Sequence, residues 1–494
     1  MHDCGKSDRL VVPAKPLNKT GSPVAEVVEG RSLSKGNATG KTRAGHRAGD
    51  GGPSALDRVR DVARRDKDAR FTALLHHVDL DRLRAAYWAL NPRAATGVDG
   101  VTWVDYGVEL ERNLRDLHAR VHRGAYRARP SRRVFIPKAG GGRRPLGVAA
   151  LEDKILQRAV VEVLNAIYET DFVGFSYGFR PGRSQHQALD ALAVGIERKR
   201  VNWVLDADIR GFFSAIDHGW MQQFLEHRIA DNRMLSLIRK WLKAGVIEDG
   251  EWSQTVRGAA QGASASPLLS NVYLHYVFDL WASQWRRRNA HGDVIIVRFA
   301  DDYIVGFERR EDATQFLADL RDRLAKFGLE LAAEKTRLIE FGRFAAEDRE
   351  ARGLGKPETF NFLGFTHICA QTRKGSFQLR RVTESRRMRA KLHDVKRGVR
   401  RRMHLPIPDQ GRWLGAVVQG HNNYYAVPGN LRAVGTFRNQ ALRHWLTALR
   451  RRGQRDRMTW EQMERIAARW LPMPRNLHPW PNVRFDARPK LGAQ

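Results

Sequence analysis

The residues with the most chemical leverage in this chain are two adjacent acids, Asp301 and Asp302, set between β-branched and aromatic runs in RFADDYIVGF, Arg298 to Phe307. Runs of this kind read as the arms of a β-hairpin with the carboxylates at its bend. Buried strands do not tolerate unpaired carboxylates, because desolvating a charge costs several kcal/mol or more. A bound cation removes that objection. A second acidic run, WVLDADIRGFFSAIDH from Trp203 to His218, carries Asp206 and Asp208, which period-two alternation places on one face of a strand. Two such strands can converge on one pair of ions. Hard magnesium ions take oxygen ligands, keep several waters and are commonly held by one or two carboxylates plus substrate phosphates. In a two-metal site one ion activates the attacking oxygen and the other stabilises the leaving oxygen of an in-line displacement. This is the chemistry of nucleotide addition, and two Mg2+ ions are the expected cofactor.

A second candidate is SRRVFIPKAGGGRRPL, Ser131 to Leu146, which reads as a short strand, a Gly140-Gly141-Gly142 turn and a basic return segment. Lys138 and Arg144 flank that turn, so their cationic ends can approach a triphosphate, the lysine as a point charge and the arginine as a bidentate fork. A Walker-type phosphate loop is excluded, because no Gly-Lys-Ser/Thr follows the turn.

The bulk composition agrees with a polyanionic partner. The chain has 494 residues, room for two or three domains, with 86 Lys and Arg against 54 Asp and Glu and a formal net charge of +32. No stretch approaches the roughly 18 uninterrupted apolar residues of a spanning helix, so no membrane partner is expected. The N-terminus carries no apolar signal segment. Cys4 and Cys369 are too few for a disulfide framework or a closed zinc site, which fits a reducing cytosol.

Along the chain, residues up to about Ser54 are rich in Gly, Lys, Arg, Ser and Pro with almost no aromatic residues on which to build a core; they read as a disordered basic tail. Leu56, Val59 and Val62, then Phe71, Leu74 and Leu75, mark short amphipathic helices, with Leu83 and Tyr87 following. Glu152 to Tyr168 has helical apolar spacing, FSYGFRPGRSQHQAL (Phe175 to Leu189) runs from a Gly/Pro loop into a helix, and Val201 to Ile209 reads as a strand. Beyond Gly364 the character changes to long basic helices: nine of the 17 residues from Arg386 to Arg402 are Lys or Arg, while Met388, Leu392, Val395, Val399 and Met403 recur at helical spacing. One face packs and the other is left for solvent or phosphate.

Phe-Ala-Asp-Asp in a hairpin, preceded by an Asp-Ile-x-x-Phe-Phe strand, resembles the palm of reverse transcriptases. ATGVDGVT (Ala95 to Thr102), RRVFIPKAGGGRRPLGV (Arg132 to Val148), SYGFRPGRS (Ser176 to Ser184), AQGASASPLLSN (Ala260 to Asn271), EKT (Glu334 to Thr336) and FLGF (Phe362 to Phe365) resemble, in order, the successive blocks of bacterial group II intron reverse transcriptases. The likeness runs from about Leu56 to Phe485. It implies an α+β, right-hand polymerase: fingers and palm built of antiparallel sheet packed on helices, and an α-helical thumb or maturase domain. The divisions expected are a disordered basic tail over 1–55, an N-terminal extension and fingers over 56–195, a palm over 196–372, a thumb over 373–475 and a C-terminal tail over 476–494.

By that resemblance Asp208, Asp301 and Asp302 are the catalytic carboxylates and metal ligands, with the Ile209 carbonyl a further ligand. Asp206 is less favoured and reads better as the salt-bridge partner of a nearby arginine. Phe213, five positions after Asp208, takes the place of the bulky ring under the incoming sugar, where it would collide with a 2′-hydroxyl. Lys138 and Arg144 belong to the fingers hairpin over the nucleotide. Gln261 lines the nucleotide sugar and base, although Ala260 stands where the family usually has proline. Lys335 resembles the palm lysine near the nucleotide, and Gly364 the glycine of the primer-contacting loop.

The basic C-terminal segments, including Gly420 to Asn430, Ala441 to Gly453 and the closing HPWPNVRF (His478 to Phe485), resemble the maturase domain of intron-encoded proteins. That implies binding to group II intron RNA, help with its splicing, and DNA synthesis at a new site from an RNA template, a DNA primer and dNTPs. Arg397, Arg400, Arg401 and Arg402 are the expected RNA contacts. Tyr424 and Tyr425 either stack on unpaired bases or pack the core. His421-Asn422-Asn423 lies inside the thumb pattern without cysteines, so no His-Asn-His endonuclease is expected. The protein is expected in the bacterial cytoplasm, at the nucleoid when engaged on DNA; whether it works as a homodimer is left open. The rival readings are an RNA-binding splicing factor without polymerase activity and a domesticated reverse transcriptase of antiphage or adaptive-immunity type.

Overall fold

The computed structural model describes residues 54–137, 143–248, 250–453 and 458–486. Almost all of the expected basic tail, together with Lys138 and Gly140 to Gly142, lies outside the described residues. The strands are β1 (Ser131–Pro137), β2 (Arg143–Val148), β3 (Trp203–Asp208), β4 (Val246–Glu248), β5 (Glu251–Ser253), β6 (Val294–Phe299), β7 (Asp302–Phe307), β8 (Arg337–Glu340), β9 (Phe360–Phe362), β10 (Phe365–Gln371) and β11 (Phe377–Thr383). The helices that matter most for the site are α1 (Ala55–Arg65), α2 (Leu151–Asp171), α3 (Gln185–Arg198), α4 (Ser266–Leu274), α5 (Leu280–Arg288), α6 (Arg310–Ala325), α7 (Ser385–Arg401), α8 (Ile407–Tyr425), α9 (Leu431–Arg450), α10 (Trp460–Trp470) and α11 (Pro481–Asp486).

The described chain opens at a capping box: the Ser54 hydroxyl accepts the Asp57 amide and the Asp57 carboxylate accepts the Ser54 amide, worth about 1 kcal/mol to α1. α1 packs on the long buried helix α2. β1 and β2 form the expected antiparallel hairpin, with Val134 opposite Leu146, in a sheet of order β2-β1-β4-β5.

A second sheet, of order β6-β7-β3-β8, is the centre of the molecule. Its strands alternate between two apolar cores. Leu205, Ala207, Ile296, Tyr303 and Val305 enter one core with Phe316 and Leu320 of α6; Val204, Ile295, Val297, Ile304 and Ile339 enter the other with Leu189 and Leu192 of α3. Each fully buried Val, Leu or Ile contributes roughly 1.5–3 kcal/mol, so a one-residue slip in register would turn every one of them to the wrong side. The register that fixes the acids is therefore set by the apolar residues behind them.

α4 and α5 are one continuous buried helix interrupted by a π-helical turn, His275–Asp279. The β11-β10-β9 sheet leads into α7, and α7 to α10 close around a third core of Val395, Val399, Leu414, Phe437, Trp445 and Leu449. The expected boundary at 373 falls in the turn of the β10–β11 hairpin. The segment expected as a tail from 476 includes α11, which packs on α3 and ion-pairs Arg484 with Asp190 at 3.0 Å. Among the described residues no helix is long and apolar enough to cross a membrane.

Candidate active site

β3 and β7 are neighbours in the central sheet, and their register sets Asp208 directly opposite Asp302. Residues so paired have Cα atoms roughly 4.5–5.5 Å apart and side chains on one face. Asp206 shares that face, opposite Ile304. Asp301 sits in the two-residue bend between β6 and β7, whose first residue, Ala300, has φ +58° in a position usually given to glycine.

The acids repel one another. Asp302 is open to solvent at the start of β7. Even so, the protein packed around it, and then Asp301, Asp208 and Asp206, push its carboxyl up to about 7. Desolvation likewise raises Asp301, with Asp208 adding to it and Arg144 and Lys335 opposing. Lys335 Nζ donates to Asp208 Oδ2. Desolvation pushes Asp206 up to about 6 against the pull of Arg337, its ion-pair partner at 3.6 Å and its cross-strand neighbour on β8. Neither Asp301 nor Asp302 forms an ion pair with a described Lys, Arg or His. Carboxylate oxygens that lie outside such pairs, as those of Asp301 and Asp302 do here, are a donor set suited to hard divalent cations. Among the described residues no three His, Cys, Asp or Glu side chains close into a ready cage. Hard divalent ions such as magnesium commonly take only one or two carboxylates and complete their shells with waters and phosphates.

The residues singled out in the sequence arrive from several elements. Ile209 bridges Leu331 through the flanking Asp208 carbonyl and Arg210 amide, which leaves its own carbonyl outside that pair of bonds. After a left-handed Gly211 the chain turns into Phe212–Ala215, where Phe212 is buried and Phe213 is half-buried, edge-on to it at 5.4 Å. The Gln261 carbonyl accepts the Gly147 amide at 2.7 Å, and Gly262, at φ +111°, would place a Cβ 3.0 Å from the Gly147 carbonyl. The Gln261 loop is thus fastened to the fingers hairpin despite Ala260. Arg144 is exposed on β2, close enough for its charge to reach Asp301. Lys138 lies outside the described residues.

Leu363 and Gly364 turn β9 into β10 with φ of +47° and +79°, the two positive angles of a tight hairpin turn. A Cβ at Gly364 would meet the Tyr425 hydroxyl at 3.0 Å and Arg387 Cδ at 3.4 Å. Tyr424 donates to the Leu363 carbonyl at 2.8 Å and both tyrosines pack against Phe365, so they serve this turn. His421 is buried and stacks on Phe437 at 3.7 Å. In α7, Arg400 and Arg401 are exposed and Arg397 pairs with Asp394 at 2.6 Å; Arg402, the residue that ends the helix, lies over the Trp413 ring at 4.4 Å.

Two features were missed in the sequence. Arg387, at the start of α7, is near enough for its charge to act on Asp302. Arg298, two residues before Ala300, is wholly buried against Asp279. The signal for Arg298 was present: a lone cation in the apolar run Val294 to Phe299 requires a buried partner.

The chain is similar to known proteins over the stretch that carries these acids. The reverse transcriptase (RNA-dependent DNA polymerase) family matches residues 136–367, which include every acid of the site. The protein YkfC of Escherichia coli (strain K12) is 38% identical over 182 residues, 36% of this chain and 48% of that protein. The group II intron-encoded protein LtrA of Lactococcus lactis subsp. cremoris is 34% identical over 222 residues, 44% of this chain and 37% of its own length. An uncharacterized 91 kDa protein in the cob intron of Schizosaccharomyces pombe is 35% identical over 188 residues, 37% of this chain and 23% of that protein. The chain spans less than half the length of each of these curated relatives.

Proposed function

We propose that this chain, whose residues 136–367 match the reverse transcriptase family and which is similar to a group II intron-encoded protein, copies RNA into DNA and grips its intron RNA for splicing and mobility. The observation that carries the reading is the meeting of Asp208 with Asp302 across β3 and β7, with Asp301 at the adjoining bend.

In this reading Asp208, Asp301 and Asp302, with the Ile209 carbonyl, would hold two Mg2+ ions, which would supply activation of the primer hydroxyl and charge stabilisation at the leaving pyrophosphate oxygen. The protein's own work is positioning. Lys138 and Arg144 neutralise the triphosphate from the fingers side, and Lys335, released from Asp208, offers its charge on the palm side. Gln261 lines the sugar and base, and Phe213 closes the space a 2′-hydroxyl would need. Gly364 keeps the β9–β10 turn small enough for a primer backbone to pass beside Arg387. The exposed cations of α7, Arg400 and Arg401 foremost, with Arg397 exchanging its Asp394 partner for phosphate, would bind intron RNA, since neutralising crowded phosphates stabilises a compact RNA. Such a protein would act in the cytoplasm and at nucleoid DNA.

Purified protein given an RNA template, an annealed DNA primer, dNTPs and Mg2+ is expected to lengthen the primer, and to bind RNA carrying its own intron. RNA binding with no extension at any Mg2+ concentration would replace this reading with that of a splicing cofactor.

A further inference from the structure

The bend that presents Asp301 and Asp302 is held from behind by one side chain. Arg298 has no solvent exposure, and neither has Asp279. Its Nε and Nη2 donate to the two Asp279 carboxylate oxygens, each at 2.6 Å. Nη2 also donates to Ser176 Oγ at 2.7 Å, and Nη1 to Asn271 Oδ1 at 3.1 Å and to the Ala300 carbonyl at 2.9 Å. Five guanidinium N–H groups thus meet five acceptors, the full complement of the side chain.

Ala300 needs such a hold. A non-glycine residue in the left-handed region is disfavoured by roughly 1–2 kcal/mol. The bond from Arg298 fixes its carbonyl, while the Phe175 to Gly178 loop fixes its other side. The Arg298 backbone makes strand-like bonds to both residues flanking Ser176, its carbonyl accepting from Tyr177 N and its N donating to the Phe175 carbonyl, each at 2.9 Å. A Cβ at Gly178 would lie 2.3 Å from the Ala300 nitrogen, so no larger residue fits. Asn271 bonds both sides, accepting from Arg298 and donating to the Gly178 carbonyl at 2.7 Å.

A buried ion pair is weak support for stability, because an apolar pair of similar volume is often as stable. What an apolar pair cannot do is tie a carbonyl, a hydroxyl and an amide to one rigid plane. The helix opposite departs from α geometry to supply the acid: Asp279 is the last residue of the π-helical turn between α4 and α5, and such turns recur at functional sites.

From this geometry we propose that Arg298, anchored by Asp279, is the positioning residue of the metal-binding bend: it fixes Ala300 and so sets the direction in which Asp301 and Asp302 present their carboxylates to a divalent ion. The proposal rests on the polymerase reading of those acids, and it gives the SYGF and LLSN segments a shared task, as the two walls of the bend.

The test is Mn2+ binding to the full chain followed by electron paramagnetic resonance, beside the half-saturating Mg2+ for primer extension, in wild type and Arg298→Lys. Lysine keeps the charge against Asp279 but loses the fork. The expected result is a metal affinity weaker by about tenfold or more, as for other residues that orient ligands from behind, with RNA affinity unchanged. Should Arg298→Lys fail to fold, the paired substitution Arg298→Met with Asp279→Leu removes both charges and is expected to fold with the same loss of metal affinity. A folded variant with wild-type Mn2+ affinity and wild-type Mg2+ requirement would overturn the assignment while leaving the polymerase reading standing. A wild-type chain that takes up no Mn2+ and adds no nucleotide would overturn both.

Discussion

Asp208 and Asp302 face one another across the β3–β7 register, on the same side of the central sheet, with no residue between them. The apolar residues that alternate along both strands into two separate cores hold that pairing, so the fold keeps two like charges together that would separate in a chain free to choose.

Asp302→Asn relieves that repulsion. In metal-free buffer the variant is expected to be as stable as wild type or up to about 1 kcal/mol more so, a modest gain because solvent reaches the site. Adding Mg2+ should raise the melting temperature of wild type by ligand linkage and that of the variant less. Thermal unfolding with EDTA and with Mg2+ measures both; a variant that gains as much from Mg2+ as wild type would separate Asp302 from metal binding.

Arg144 reaches Asp301 electrostatically from an exposed position on β2. Losing a charge-assisted contact to phosphate corresponds to roughly 1.5–3 kcal/mol, so Arg144→Ala should raise KM for dNTP by about tenfold or more. A steady-state titration of one dNTP on a homopolymer template reads this. An unchanged KM would place the nucleotide elsewhere.

Phe213 lies half-buried against Phe212, five residues past Asp208. On the proposed role of Phe213 beneath the sugar, Phe213→Val would open that space, and discrimination against ribonucleotides should fall by up to about a hundredfold, the range a shaped apolar wall commands. Primer extension with matched rNTP and dNTP gives the ratio, and an unaltered ratio would leave Phe213 a packing residue.

The arginines at the C-terminal end of α7 and its cap divide into two kinds. Arg400→Ala with Arg401→Ala removes two exposed charges and should flatten the slope of log affinity against log salt by roughly 1.5–2 on intron RNA, with melting unchanged. Arg402 covers the Trp413 ring, so Arg402→Ala should instead cost about 1 kcal/mol of stability and leave the slope nearly intact. Filter binding across salt concentrations, beside thermal melts, distinguishes them.

Much of the site is legible in the amino-acid sequence. Strand alternation puts Asp206 and Asp208 on one face, and the apolar arms around Asp301-Asp302 give the hairpin. Their meeting is not deducible from spacing, since the partner of β3 is 94 residues away at Asp302 and β8 sits on its other side. Asp302 is also accessible, although its setting beside an apolar run implies burial. Arg298 is harder to read because its partners Ser176, Asn271 and Asp279 come from distant segments that only the fold assembles. The segment after 476 reads as a tail, since its apolar residues are few; its place on α3 depends on Asp190, whose carboxylate takes both Arg381 and Arg484.

Single-turnover primer extension with Asp301→Asn asks whether these acids carry DNA synthesis on an RNA template. The expected result is a rate lower by at least about a hundredfold at saturating Mg2+, with RNA affinity and melting temperature unchanged. An Asp301→Asn protein that lengthens the primer as fast as wild type would contradict the account.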